Sequence, residues 1–175
     1  MHSFSELIDR CSAFTLGALD DAQAKTLGAL QTSSATSLLK TLQMVQLQKV
    51  ISAVGMFSIF DAMLQDGLEC ADGFREAGRI LITEGEEILS ERFSNLQLAI
   101  NVLKHGQGRS YTILLAKEAS LPFNIKRPGD HFFNEGNVAE VSTLIEVDDA
   151  FVLRCAETIR DVWAVIHRAR PAFFA

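Results

Sequence analysis

The chain is poor in the residues that mark several protein classes. Among its 175 residues are three cysteines, three prolines, one tryptophan and one tyrosine. Cys11, Cys70 and Cys155 are odd in number and widely spaced, and no CxxC or Cys/His ligand spacing occurs. That excludes a disulfide framework and a structural zinc site, and no metal or cofactor is expected. The thiols read as reduced, two or three of them packed as small apolar groups. Positive charge is not in excess: the formal net charge is −6, which argues against broad, nonspecific nucleic-acid binding. Long apolar runs are missing too. The N-terminus carries acids early and does not read as a signal peptide. The most apolar stretch, Val50 to Phe60, is interrupted by Ser52, Gly55 and Ser58 and bounded by Lys49 and Asp61. It reads as a buried helix too short to span a bilayer, so a cytoplasmic protein with no membrane association is expected.

What is present points to helix. Apolar residues make up 48% of the chain, and Leu, Ala, Ser, Gln and Glu dominate. The length fits one domain, residues 1–175, with a substantial core. Phe4, Leu7, Ile8, Cys11 and Phe14 predict a short amphipathic helix over 3–15. Residues 16–30 predict a second short helix or a connector, with Asp20 and Asp21 as caps. TSSATS at 32–37 is a helix-start signal. The apolar positions from Leu38 to Leu64 continue it to about Asp66, roughly 45 Å of helix, apolar on almost every side in its second half and therefore expected at the centre of a bundle.

GLECADG breaks that pattern, and a second long helix is expected over 73–105. Its positions Leu89, Phe93, Leu96, Ile100 and Leu103, spaced four, three, four, three, form the seam of two shallowly crossing helices. A short helix or turn follows over 111–119. Residues 121–137 read as loop, and 138–147 as loop or a short strand. Asp148 and Asp149 cap a final helix striped by Val152, Cys155, Ile159, Val162 and Ile166. The fold class is all-α: two long antiparallel helices, a C-terminal helix packed on them, and short N-terminal helices.

The chemistry concentrates in AINVLKHGQGRSY, residues 99–111. Asn101 and His105 are four apart and share a helical face, with Lys104 beside them next to the seam, so they are expected to line a cleft. Imidazole titrates near neutral pH and transfers protons. Gly106 and Gly108 let backbone approach a phosphate, and Arg109 can grip one with two hydrogen bonds. Basic residues gather from here onward: Lys104, Arg109, Lys117, Lys126 and Arg127 stand against the single acid Glu118. The same residues also make an ordinary helix end, with cations in the last turn and Gly beyond it.

The segment resembles the core motif of HEPN domains, small helical bundles found in many bacterial RNase toxins and phage-defence proteins. That motif is an Arg, then four to six residues, then a His, often with Asn after the Arg and Gly after the His. Here Asn101, His105 and Gly106 match, IEVDDAF leads into the last helix, and FSIFDAML at 57–64 is similar to the family's long helices. The motif Arg is replaced by Ile100. The resemblance implies RNA binding or metal-independent RNA cleavage in a bacterial defence or toxin–antitoxin system. It further implies a homodimer with the two His105 side chains facing a shared groove, and an antitoxin partner. His105 would be the acid–base group, Asn101 would orient, and Lys104 and Arg109 would hold phosphate or nucleotide.

Arg160 and His167, with six residues between them, offer a second pairing, but they read first as a solvated face with Glu157 beside Arg160. Glu84, Glu86 and Glu87 read as a solvated acidic kink before a metal site, and Asp130, His131 and Glu135 as a polar loop before an acid–base pair. A non-enzymatic helical module for dimerisation or partner binding is the alternative to RNA chemistry.

Overall fold

The computed structural model describes residues 4–132 and 140–171. Its elements are α1 (Phe4–Leu30), α2 (Thr36–Gly67), α3 (Gly73–Thr83), α4 (Glu87–His105), α5 (Arg109–Leu115), a 3-10 turn over Glu118–Ser120, and α6 (Asp149–Ala169). The protein is all-α. Among the described residues no strand forms; of the 138–147 stretch, residues 138 and 139 lie outside the described residues and the rest contributes one isolated antiparallel bridge, Ile125 to Ile145.

Helix α1 runs unbroken where a short helix followed by a second short helix or a connector was expected. No proline interrupts it, Gly17 lies where an added Cβ would meet nothing within 4 Å, and packing against α2 and α6 sustains it. Asp20 and Asp21 therefore sit exposed mid-helix instead of capping. Helix α2 starts where TSSATS placed it, but its N-cap is Ala35, which has no side-chain bond to give; Ser33 Oγ accepts from Ala35 N instead, at 3.3 Å.

The expected helix over 73–105 is two helices. Gly85 sits at φ +76°, a left-handed conformation that side-chain-bearing residues resist. Around it Glu86 N donates to Leu81 O at 2.9 Å, so the carbonyls ending α3 are satisfied by the reversing chain. Of the five seam positions, Leu89, Phe93, Leu96 and Ile100 are buried along α4 and Leu103 is half-buried.

α6 shares the centre of the bundle with the second half of α2. α6 packs against α1, α2, α3 and α4 and buries Phe151, Val152, Cys155, Ile159, Val162 and Ile166 among others. Asp148 caps it, accepting from Phe151 N at 2.7 Å. α2 turns Val45, Ala53, Phe57, Phe60 and Leu64 inward and leaves its other face bare. Phe57, Phe60, Phe74 and Phe93 interlock with ring centroids 5.4–6.4 Å apart, and Phe4 and Trp163 extend the cluster. Of the cysteines, Cys155 alone is buried, and burial pushes its thiol pKa well up; Cys70 is half-buried and Cys11 exposed.

Candidate functional site at the α4–α5 corner

Helix α4 ends at His105. Gly106, at φ +72°, reverses the chain while its N–H donates to Val102 O at 2.8 Å. Gly108 O then accepts from Thr112 N at 3.0 Å and starts α5. The capping role of this segment is therefore real. An added Cβ at either glycine would meet nothing within 4 Å, so the backbone of the turn is open on its outer side.

Lys104, His105 and Arg109 are exposed and Asn101 is half-buried. They stand on an open corner, not in the cleft expected from the sequence. The nearest depression, about 430 Å³, starts at Gly106 and Gln107 and is walled by the loop residues Lys126, His131, Glu140 and Thr143. Ile100, at the position of the family's Arg, is 3% exposed and belongs to the core.

The corner's cations differ from the rest of the basic run. The basic run of five divides in the folded chain. Lys117 Nζ donates to Asn95 Oδ1 at 2.9 Å. Lys126 is paired with Glu140. Arg127 lies 3.6 Å from Glu118. Only Lys104 and Arg109 of the five have no side-chain partner among the described residues, and Asn101 and His105 share that condition. Elsewhere most of the arginines are tied down, among them Arg92 to Asp161, Arg160 to Asp9, Arg168 to Glu86 and Arg79 to Glu76, whereas Arg154 and Arg170 form no ion pair among the described residues. Side chains left unpaired in this way keep their full capacity for an external anion.

Beside the corner lies a second polar cluster. Glu140 is 9% exposed at its side chain and is held by Lys126, by His131 Nδ1 at 3.1 Å and by Phe132 N at 3.4 Å. Burial raises its pKa, but the hydrogen bonds from Lys126, His131 and Phe132 outweigh burial and hold the carboxyl below its ordinary value. Lys126 also stands 4.4 Å over the Phe132 ring, and Tyr111 Oη donates to Lys126 O at 2.9 Å, tying α5 to this loop. The cluster is structural: its charges satisfy one another. It takes the His131 singled out in the sequence but pairs it with Glu140; Glu135 lies outside the described residues, and Asp130 instead accepts from Arg127 N at 3.2 Å.

The other sequence candidates dissolve into the fold. Arg160 binds Asp9 and Asp161, each at 3.5 Å, and not Glu157, while His167 is exposed. Glu86 receives Arg168 at 3.1 Å. Among the described residues no group of three or more His, Cys, Asp or Glu side chains is placed to hold a metal ion. Two polar residues went unread in the sequence. Asn95 is buried in α4 as the partner of Lys117. Lys49, 5% exposed, lies 2.6 Å from Asp149 and ties α2 to the start of α6. Its place among Val45, Ala53 and Met56 on the helical wheel was the available signal.

No family model, curated protein or solved structure matches the chain.

Proposed function

We propose that the α4–α5 corner binds single-stranded RNA through its phosphates, as a HEPN-like domain that grips RNA without cutting it. The observation that supports this reading most is the isolation of Lys104 and Arg109, two neighbouring cations without protein partners among the described residues in a chain where most arginines are paired. Arg109 grips a phosphate by its fork, Lys104 adds a point charge, and the bare backbone at Gly106 and Gly108 allows close approach. His105 and Asn101, on the next turn of the same face, supply a hydrogen bond to a neighbouring phosphate or ribose. Cleavage is not part of the proposal: the family's chemistry pairs His with Arg, and Ile100 is committed to the core.

The experiment is fluorescence anisotropy of a short labelled single-stranded RNA of mixed sequence. Lys104→Ala/Arg109→Ala should weaken binding about tenfold or more, the yield of two lost charge-assisted contacts. Arg127→Ala, which removes a cation already paired with Glu118, should change it less than about twofold. Absence of binding by the native chain, or equal losses in the two variants, would remove the proposal. RNA cleavage that vanishes in His105→Ala would show the corner to be an active nuclease and overturn the non-cutting part.

A further inference from the structure

The outer face of α2 carries apolar side chains that are left exposed among the described residues. Met44 is 54% exposed, Leu47 46%, Ile51 52% and Ile59 54%. With Gly55 and Ala62 they form one continuous strip, spaced three or four residues apart, opposite the buried face of Val45, Ala53, Phe57, Phe60 and Leu64. An exposed apolar strip of this length calls for an occupant. α2 is also the one described helix long and apolar enough to cross a bilayer, with 33% of its most apolar window buried.

The ends of the strip identify the occupant. Lys40 lies at one end and Asp66 at the other, both exposed and both without an ion-pair partner among the described residues. We propose that this face packs on the same face of a second copy, antiparallel about a two-fold axis that crosses the strip midway between Ile51 and Gly55. In that register Lys40 meets Asp66, Met44 meets Ala62, Leu47 meets Ile59, and Ile51 enters the space above Gly55. Each contact occurs twice, as a two-fold interface requires. A parallel arrangement would set Lys40 against Lys40 and Asp66 against Asp66. The strip from Met44 to Ala62 spans about 27 Å of helix. A seam of that size is at the small end of specific interfaces, so the dimer should dissociate in the micromolar range. The interface lies along α2 and does not use Lys104, His105 or Arg109, so it stands or falls independently of RNA binding.

Analytical ultracentrifugation of the full chain over a concentration series tests the proposal. Gly55→Leu is the informative variant: an added Cβ there meets nothing within 4 Å in its own chain, so the monomer keeps its fold while the partner's Ile51 is shut out. The native chain should be a dimer. Gly55→Leu and Ile51→Glu should each raise the dissociation constant on the order of 100-fold, with unchanged helical circular dichroism. Lys40→Glu or Asp66→Lys alone should raise it several-fold, about tenfold at most, and the double reversal should return it toward the native value. A native chain that is monomeric at about 100 µM, or a dimer indifferent to Gly55→Leu, would overturn the proposal. So would a monomer that binds phosphatidylcholine vesicles and loses that binding in Ile51→Glu, since the occupant would then be lipid.

Discussion

Gly73, the first residue of α3, leaves no room for a side chain. A Cβ there would stand 2.7 Å from Leu64 Cβ and 2.8 Å from the Asp61 carbonyl, both fixed by α2. Gly73→Ala should therefore destabilise the fold by about 1–3 kcal/mol, seen as a lower urea midpoint at constant slope. Gly78, five residues further along α3, has nothing within 4 Å of the same added atom. Gly78→Ala should stabilise by about 0.5–1 kcal/mol through helix propensity, and two changes of the same sign would contradict this packing. Glu140 gives a pH prediction. Its folded pKa lies below the ordinary 4.5, so its ion pair with Lys126 contributes fully above that value and is lost as pH falls through the lower folded one. Amide exchange in residues 125–132 should accelerate only under acid conditions, and Glu140→Gln should make it fast at neutral pH as well. Exchange independent of pH, beyond the intrinsic chemical rate, would rule out the ion pair as the anchor.

Elements differ in how far the sequence revealed them. α6 was legible from end to end: Asp148 and Asp149 announce its start, its stripe has helical period, and Pro171 follows its end. Asp148→Ala should cost about 1 kcal/mol of stability by thermal or urea melting, because its carboxylate accepts from Phe151 N. Asp20→Ala, in the exposed middle of α1 where no cap is needed, should change stability by less than about 0.5 kcal/mol. Equal effects would mean that α1 does break near residue 20. The continuity of α1 was not legible, since its Gly and paired Asp are local stop signals that only packing on α2 and α6 overrides. The break at Gly85 was half-legible: Gly between acids marked a kink, but a full reversal depends on φ +76°, which composition does not give. The outward face of α2 was hidden because apolar residues on all sides read as burial, whereas exposed Met44, Leu47 and Ile51 are as apolar as the buried side. At the corner, sequence order brought Asn101, Lys104, His105 and Arg109 together. Which cations of the basic run stay unpaired depends on Glu140 and Asn95, whose roles exist only in three dimensions.

Across the whole molecule, a net charge of −6 sets the terms for any polyanion. General attraction is absent, so the proposed RNA contact is a local one, short and confined to the α4–α5 corner, and should weaken as salt rises. The two proposed surfaces occupy different elements, α2 and the α4–α5 corner, so one chain can pair with its copy while both corners stay open. The most direct test of the corner is the slope of log Kd against log salt concentration for a single-stranded RNA, compared between the native chain and Lys104→Ala/Arg109→Ala. Each phosphate contact to a single strand contributes about 0.7 to that slope. The slope should fall by about 1.4 in the double variant and by nothing measurable in Arg127→Ala. An unchanged slope in the double variant, with RNA still bound, would place the phosphate contacts elsewhere and contradict the assignment.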